Sequence, residues 1–332
     1  MPSLIHEPPL TTVSCPHCPV CGGEGKKHHA GVCDPCGFAS GEWDFRRCGQ
    51  CGSLWLDPRP ADECASRIYP PEYLTHGAPG DLLGPGGLRL ELRLALLHLR
   101  YGYPARECGG VVRGLARVAA TLPGLTRRVG YGVRFVRWGP GRLLDIGCGN
   151  GEFLLLMSKL GWRVQGLDPD PVAAAEARRA GLPVENDRIE SARLDPASFQ
   201  AITLNHVLEH LADPVRVFAT LSGWLEPGGV LVVVCPNPEG LPARRFGRAW
   251  RQLDAPRHLV LPSPAALAGL ARRAGLHTEV WTSARMSDWT AAQSLPRSRW
   301  RARAAAWICR VAIAADRMAG DEVFLIARKS AA

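Results

Sequence analysis

Short apolar runs alternate with helix-forming stretches from residue 139 onward, and this alternation most constrains the fold of the chain. We predict seven strands there, at residues 142–146, 163–167, 182–185, 201–204, 230–235, 278–281 and 322–327. Strands that alternate with helices are typical of a parallel, doubly wound sheet, which binds its ligand at the carboxyl ends of its strands. The predicted fold class is therefore α/β, with a seven-stranded, Rossmann-like sheet over residues 139–332.

A glycine-rich turn follows the first of these strands and reads Asp-Ile-Gly-Cys-Gly-Asn-Gly over residues 145–151. Because glycine lacks a Cβ, backbone N–H groups at such a turn can approach a ligand closely. Asp168 ends the second strand, 23 residues after Asp145, where a carboxylate can accept both hydroxyls of a ribose. Asp145 itself would repel a pyrophosphate but receive an ammonium group. The pattern favours S-adenosylmethionine over a nicotinamide dinucleotide, although tight turns of a doubly wound fold also use glycines.

These motifs resemble those of the class I S-adenosylmethionine-dependent methyltransferases, and the resemblance covers about residues 139–332. Three further segments carry it: Asn-His-Val-Leu-Glu-His-Leu-Ala-Asp-Pro at 205–214, Leu-Glu-Pro-Gly-Gly at 225–229 and Cys-Pro-Asn at 235–237. Gln200 departs from the pattern, since the family often has Asp there. The resemblance implies that Asp145 lies near the methionine amino group and Asp168 on the ribose. The other cofactor-binding residues that we assign on this basis are Gly147, Gly149, Asn150, Gly151, Pro169, Asn186, Asp187 and Asn205.

Methyl transfer from a sulfonium is an in-line displacement in which a base can remove the acceptor proton. Our catalytic candidates are His206, at the end of the fourth strand, and His258, after the fifth. We predict a helix that begins near His206, and if it starts at this residue, His206, Glu209 and His210 share one face. The Glu-His pair also resembles the ubiquinone-type O-methyltransferases, where an acid replaces His206 and the group can hold a divalent metal. A histidine there puts Mg²⁺ in doubt, and the alternative is that these side chains brace the helix and line the cofactor pocket.

The segment at 250–259 reads Trp-Arg-Gln-Leu-Asp-Ala-Pro-Arg-His-Leu and resembles one in a methyltransferase subgroup with an amino-terminal cysteine module. Such a loop near the cofactor can bind and deprotonate an acceptor, which we predict to be a small molecule, either a sugar or another biosynthetic intermediate. Nearby arginines suit an anionic acceptor, with a solvated basic surface as the alternative, and they are Arg244, Arg245, Arg248, Arg251 and Arg257. The insert at 285–320 has an apolar face beside arginines. We expect a packed helix there, rather than a pocket cover, a dimer contact or a membrane-surface helix.

Seven of the twelve cysteines lie before residue 52. Two Cys-x-x-Cys-Gly knuckles, Cys18 with Cys21 and Cys48 with Cys51, predict a tetrahedral zinc site in a zinc-ribbon module over residues 1–62. Four thiolates leave no open position, so this zinc would be structural. Redox cysteines are the alternative. The cysteines that we interpret as spare thiols, rather than as part of a second site with a nearby histidine, are Cys15, Cys33 and Cys36.

Residues 63–138 are rich in Leu and Arg and predict a helical connector or lid, with one helix over 88–99. Apolar runs stay far below the roughly 18 residues of a membrane span, and the first residues lack a secretion signal, so we expect a cytoplasmic protein. The net charge of +9, mostly from arginine, favours anionic partners in general. We predict methyl transfer to a small molecule and no nucleic-acid partner. An RNA methyltransferase and a non-catalytic cofactor-binding scaffold are the alternatives.

Overall fold

The computed structural model of the protein describes residues 10–69, 79–84, 86–105, 108–139, 141–282, 304, 307 and 318–331. Its amino-terminal strands are β1 (Thr12–Val13), β2 (Gly25–Val32), β3 (Trp43–Cys48), β4 (Leu54–Leu56) and β5 (Arg59–Pro60). β1 pairs with β5, whereas β2, β3 and β4 form an antiparallel meander. One cysteine knuckle precedes β2, and the other begins at Cys48, the last residue of β3, and continues into the turn before β4, so the meander brings the two knuckles together.

Helices follow in the next part of the described chain, and they are α1 (Ala65–Ile68), α2 (Leu88–Tyr101), α3 (Gly110–Ala119) and α4 (Pro123–Gly132). A short 3₁₀ turn at Asp62–Cys64 precedes α1. The helix predicted over 88–99 is confirmed as α2, which ends where Gly102 takes a left-handed φ of 76°.

The remaining elements alternate as predicted. They are β6 (Arg142–Ile146), α5 (Glu152–Lys159), β7 (Arg163–Leu167), α6 (Pro171–Arg179), β8 (Val184–Glu185), β9 (Phe199–Asn205), α7 (Pro214–Trp224), β10 (Leu225–Pro236), α8 (Leu241–Phe246), β11 (Val260–Leu261), α9 (Pro264–Arg273), β12 (Leu276–Thr282) and β13 (Glu322–Lys329). Short 3₁₀ turns lie at Leu208–His210, Gly247–Ala249 and Arg251–Leu253. The insert at 285–320 falls almost entirely outside the described residues, including Arg297, Arg299, Arg301, Arg303, Arg310 and Arg317.

The seven predicted strands pair into one sheet in the order β12, β13, β10, β9, β6, β7, β8. Neighbours from β10 to β8 are parallel, but β13 is antiparallel to both β10 and β12. The prediction of a parallel sheet is therefore wrong for β13. Antiparallel neighbours need no crossover, so the chain that leaves β12 enters β13 at the same edge of the sheet. This edge carries the ends of β6, β7 and β9 and therefore the candidate site.

Apolar side chains cover both faces of the sheet. One core cluster contains Leu221 of α7 and Leu267 of α9, and another contains Leu97 of α2 and Leu154 of α5. Residues 230–236 of β10 are all buried, which fits the prediction of a central strand covered on both faces. Among the described residues, no helix is both long and apolar enough to cross a membrane.

A strand from the later part of the chain joins the sheet of the amino-terminal ribbon. β11 lies between α8 and α9 in the chain but pairs with β4, so the second, four-stranded sheet has the order β11, β4, β3, β2. Trp55 of β4 is fully buried in the core cluster that also contains Leu267 of α9. The cysteine ribbon is thus packed into the larger unit.

The helix predicted to start at His206 is absent at that position. His206 takes a left-handed φ of 55°, which interrupts helical geometry, and only the 3₁₀ turn at Leu208–His210 follows. α7 begins eight residues later, where the Asp213 side chain caps the helix by accepting from the Arg216 N–H at 2.9 Å and Pro214 occupies the first turn. A polar loop therefore replaces the predicted helical face at the end of β9.

Candidate active site

The glycine turn after β6 is compact and closely covered. Gly147 has a φ of 63°, and a Cβ on it would lie 2.4 Å from Cγ2 of Val207. Gly151 has a φ of 83°, and a Cβ there would lie 2.5 Å from Cδ1 of Leu182. The side chain of Asn150 accepts from the N–H of Glu152 at 3.3 Å, just before α5, and Gly151 is the residue that caps the helix. Only glycine fits at positions 147 and 151 without displacing neighbouring side chains.

Asp168 lies at the end of β7, directly beside this turn. Its Oδ2 accepts from the N–H of Gly149 at 2.6 Å, and its Oδ1 accepts from the N–H of Asp170 at 2.9 Å. Burial raises the pKa of Asp168. The side-chain amide of Asn186, after β8, donates to the Asp168 carbonyl at 2.9 Å. The structure therefore brings the ends of β6, β7 and β8 together, as the predicted site requires.

The other predicted residues of this group lie at the rim. Pro169 is exposed, and Asp187 is half-buried with its carboxylate accepting from the N–H of Arg188 at 2.7 Å. Asn205 ends β9, half-buried and in register with Val234 of β10.

Asp145 is fully buried and forms an ion pair that the sequence did not predict. Its Oδ1 accepts from Thr203 Oγ1 at 2.6 Å and contacts Arg134 Nη1. Arg134 follows α4 in a left-handed conformation and lies 3.7 Å above the ring of Phe153. Burial raises the pKa of Asp145 in spite of this arginine. Its Oδ2 is buried and makes no hydrogen bond within the described structure, which leaves one oxygen of the carboxylate without a partner there.

His206 lies between two carboxylates. Its Nδ1 is 3.1 Å from Glu209 Oε1, and its Nε2 is 3.0 Å from Glu322 Oε1. Burial alone would lower its pKa, but these hydrogen bonds raise the pKa of His206 to about 10. The imidazole is thus protonated at neutral pH with both N–H groups engaged. A base must be unprotonated, so this geometry does not support the predicted base role of His206.

Glu322 reaches this site because β13 runs antiparallel to its neighbours. It is the first residue of β13 and therefore lies at the edge where the parallel strands end. Its Oε2 also accepts from Tyr131 Oη at 3.1 Å. Neither residue stands in a local motif, so sequence reasoning missed both of them.

A second group of ligand atoms lies on the other side of Glu209. Glu209, His210 and His258 each offer one such atom, and these atoms lie within 4.8 Å of one another. The His258 Nε2 is 3.9 Å from Glu209 Oε1, and the two imidazole rings meet edge to face at 4.8 Å. Glu209 is completely buried, and its Oε2 makes no hydrogen bond within the described residues.

Backbone carbonyls determine how these two histidines are protonated. The Nδ1 of His258 is 2.7 Å from the Gln252 carbonyl, and the Nδ1 of His210 is 3.1 Å from the Arg257 carbonyl and 2.8 Å from Tyr69 Oη. A carbonyl only accepts, so each Nδ1 carries a proton, and in the neutral ring of His258 the Nε2 keeps a lone pair. Burial lowers the pKa of His258 to about 4, so it stays neutral at physiological pH. Such a group can accept a proton or bind a divalent transition metal.

Two of the five arginines that we considered either as ligands of an anionic acceptor or as a solvated surface are buried in ion pairs. Arg257 bonds to Asp34 at 3.0 Å through Nη1 and to Asp254 at 2.7 Å through Nη2, and Arg251 bonds to Asp254 at 2.6 Å. These two arginines are therefore neither acceptor ligands nor part of a solvated surface. Their guanidinium groups pair with Asp34 and Asp254 and hold the loop that carries His258 in place. Those of the cluster that remain exposed are Arg244, Arg245 and Arg248.

The four predicted zinc ligands come together. Their Sγ atoms lie within 4.8 Å of one another, with Cys18 to Cys51 at 3.6 Å and Cys21 to Cys48 at 3.4 Å. A tetrahedral site with Zn–S bonds of about 2.3 Å places its sulfurs roughly 3.8 Å apart, so the donor set fits zinc. The glycine after each knuckle has a positive φ, as expected.

The spare cysteines stay apart from this group. Cys36 Sγ accepts from Arg251 Nη2 at 3.1 Å, and Cys33 is exposed. Among the described residues, neither they nor Cys15 form a ligand group with His28 or His29.

Comparison with known proteins finds matches to methyltransferases over part of the chain. Residues 123–279 match a family model described as a methyltransferase domain. A ubiquinone biosynthesis O-methyltransferase from a Methylobacterium species is 38% identical over 101 residues, which are 29% of this chain and 41% of that protein. One from Cereibacter sphaeroides is 33% identical over 147 residues, 41% of this chain and 60% of that protein. The chain thus spans only 41% and 60% of these curated relatives. A methyltransferase structure from Mesorhizobium loti is 21% identical, with a TM-score of 0.43, covering 60% of this chain and 96% of that one.

Proposed function

We propose that the protein is a class I S-adenosylmethionine-dependent methyltransferase that methylates a small-molecule acceptor, since residues 123–279 match a model of a methyltransferase domain. The observation that carries this proposal is the meeting of Gly149, Asp168 and Asn186 at the ends of three adjacent strands. S-adenosylmethionine bound there supplies a methyl group activated by a sulfonium. The curated relatives are named for ubiquinone biosynthesis, which favours a small acceptor over a macromolecule.

The charges of the pocket match the two ends of the cofactor. Each oxygen of Asp168 accepts one backbone N–H and keeps a second lone pair, which suits two ribose hydroxyls. At the other end, the buried Oδ2 of Asp145, which has no partner among the described residues, suits an ammonium group, and Arg134 suits a carboxylate. We assign the rim residues Asn186 and Asp187 to the adenine.

We propose that His258, rather than His206, receives the acceptor proton. Its neutral imidazole keeps a lone pair on Nε2, and the adjacent Glu209 carboxylate stabilises the imidazolium that forms. In the transfer the acceptor atom bonds to the methyl carbon, the carbon–sulfur bond breaks, and the thioether leaves with the electron pair. The protein aligns these atoms and accepts the proton.

We assign a structural zinc ion to Cys18, Cys21, Cys48 and Cys51. With four thiolate ligands it leaves no position for substrate, so its contribution is to hold the knuckles against the large sheet.

Two paired experiments test the proposal. Calorimetric titration with S-adenosylmethionine should show binding that Asp168→Ala weakens by about 1.5–3 kcal/mol for each charged hydrogen bond lost, whereas Asp195→Ala, an exposed acid on another loop, leaves it unchanged. With an acceptor found by screening for labelled product, His258→Gln should lower kcat and spare cofactor affinity, whereas exposed His277→Gln changes neither. Equal cofactor affinity for both Asp variants would refute the assigned pocket.

A further inference from the structure

A cavity of about 260 Å³ lies between the cysteine ribbon and the part of the chain that follows β10. The described residues that line it are Arg47 of β3, Glu239, Arg244 of α8 and Met318. Arg244 is one of the three exposed arginines of the cluster at 244–257. Two arginines from distant parts of the sequence therefore share one cavity.

Packing of the ribbon against α8 brings these two arginines together. Phe45 and Arg47 lie two residues apart on β3 and therefore on one face of the strand. Phe45 is fully buried in a core cluster that also contains Ala243 of α8. Since Arg244 directly follows Ala243, the same packing positions both arginines at the cavity.

The positive charges of this cavity are only weakly neutralised. Arg47 Nη2 lies 3.6 Å from Glu239 Oε1, which is too long for a direct hydrogen bond, and both side chains are partly exposed. Such exposed ion pairs contribute little, so Glu239 holds Arg47 loosely. The Arg244 guanidinium makes neither an ion pair nor a hydrogen bond within the described part of the chain. Both guanidinium groups are therefore free to bind an anion.

The two faces of the ribbon differ in how their charges are paired. On one face Lys27 lies across from Arg46, and each of them pairs with its own aspartate. On the opposite face Lys26 lies directly across from Arg47, and Lys26 has no carboxylate partner among the described residues. Like charges directly opposite each other on antiparallel strands are destabilising. An anion bound at this face would relieve that repulsion.

We propose that Arg47 and Arg244 bind a phosphate or diphosphate group of the acceptor. The guanidinium fork matches phosphate oxygens and can bond to two of them at once. Together with Lys26, the cations outnumber the acid Glu239 by two. A phosphate monoester carries a charge of about −1.5 to −2 at neutral pH, so it matches this excess better than a singly charged carboxylate does. Pockets for whole ligands usually measure about 300–1,000 Å³, so this smaller cavity suits one charged group of a larger molecule.

The cavity lies close enough to the candidate active site for one acceptor to reach both. Met318 precedes Glu322 by four residues, and Glu322 Oε1 lies 3.0 Å from His206 Nε2. Four residues of chain span at most about 14 Å. The side-chain amide of Asn237 holds this segment by donating to the carbonyls of Met318 at 3.0 Å and Gly320 at 2.8 Å. The inference rests on the proposed methyl transfer for the identity of the acceptor, whereas phosphate binding itself does not depend on it.

Calorimetric titration of the full chain with pyrophosphate tests the site. Wild-type protein should bind pyrophosphate, and R47Q and R244Q should each weaken binding about tenfold or more, as expected for a lost charged hydrogen bond. E239Q should strengthen binding, because it removes the carboxylate that competes for Arg47. The matched control is R216Q, at an exposed arginine of α7, which should bind as wild type. Circular dichroism and zinc content, measured on every variant, distinguish loss of the site from loss of folding.

Phosphatase treatment tests whether the bound phosphate belongs to the acceptor. The small-molecule fraction of a cell extract, incubated with the protein and labelled S-adenosylmethionine, should give a labelled product. The same fraction should give none after treatment with a phosphatase that is then removed. R244Q should need more of the untreated fraction to reach the wild-type rate, while its affinity for S-adenosylmethionine stays unchanged.

Three outcomes would overturn the proposal. Absence of pyrophosphate binding by the wild type would exclude the site, and so would wild-type affinity of both R47Q and R244Q. Equal product from treated and untreated fractions would assign the site to free phosphate instead of the acceptor. Absence of product from both fractions, together with absence of S-adenosylmethionine binding, would count against the proposed function, and the pyrophosphate titration would still decide the phosphate site.

Discussion

Replacing Asp34 by Asn should destabilise the whole protein. Asp34 lies between Cys33 and Cys36, and its carboxylate accepts from two guanidinium nitrogens of Arg257, whose side chain is completely buried. The same carboxylate accepts from the N–H groups of Cys36 at 2.8 Å and Ala39 at 2.8 Å. The Arg257 guanidinium holds the pKa of Asp34 below its usual range, although burial alone would raise it.

The expected loss follows from this geometry. The side-chain amide of Asn has only one acceptor oxygen. Its NH₂ group would therefore face N–H donors that a carboxylate oxygen of Asp34 now accepts. Removing one partner of a buried ion pair costs about 3–5 kcal/mol. Arg257 keeps Asp254 at 2.7 Å, which places the expected loss at about 3 kcal/mol. This is a large part of a typical free energy of unfolding of 5–15 kcal/mol.

Urea unfolding of the two proteins measures the difference, in buffer that contains zinc so that metal content stays equal. Asp62→Asn is the matched control, because Asp62 pairs with Arg59 at 2.9 Å but is 62% exposed, and such pairs contribute about 0–1 kcal/mol. A loss for Asp34→Asn below about 1 kcal/mol, or equal to that of the control, would refute the view that Arg257 is held by a buried charge network.

Three further predictions concern the site and the ribbon. In an NMR titration His206 should stay protonated above pH 8, and Glu322→Gln should lower the pKa of His206. The folded pKa of about 10 exceeds the usual value of 6.5. Protonated His206 therefore stabilises the fold in full below pH 6.5, and this stabilisation is lost as the pH rises through 10. A midpoint near 6.5 would contradict the double carboxylate contact. Gly147→Ala should destabilise the protein by about 1–3 kcal/mol more than Gly161→Ala, because both have a positive φ but a Cβ at Gly161 meets open space. Chelation of zinc should lower the thermal midpoint of one shared unfolding transition, since β4 pairs with β11; an unchanged midpoint in protein shown to have lost zinc would exclude a stabilising metal.

Local patterns predicted the positions of the strands well. β6 and β7 begin and end at the predicted residues, because short apolar runs bounded by glycine and polar residues restrict where a strand fits. The two cysteine knuckles and the acid at the end of β7 were predictable for the same reason. Each of these features lies within a few residues of chain and has strict local requirements.

Long-range contacts account for what the sequence did not predict. Glu322 meets His206 across 116 residues because β13 runs antiparallel, and hydrophobic pattern carries no information on strand direction. Arg134 and Asp34 likewise find Asp145 and Arg257 through packing rather than through a motif. The helix predicted at His206 was wrong because a left-handed residue there has no signature in composition.

The position of β13 has a consequence for the order in which the newly made chain can fold. β13 lies between β10 and β12, so β12 has no partner in the sheet until residues 322–329 have left the ribosome. Until then residues 230–236 of β10 present an open apolar edge to other proteins in the cell. Nascent chains of this protein should therefore bind chaperones until the last described strand emerges, and release them once it inserts.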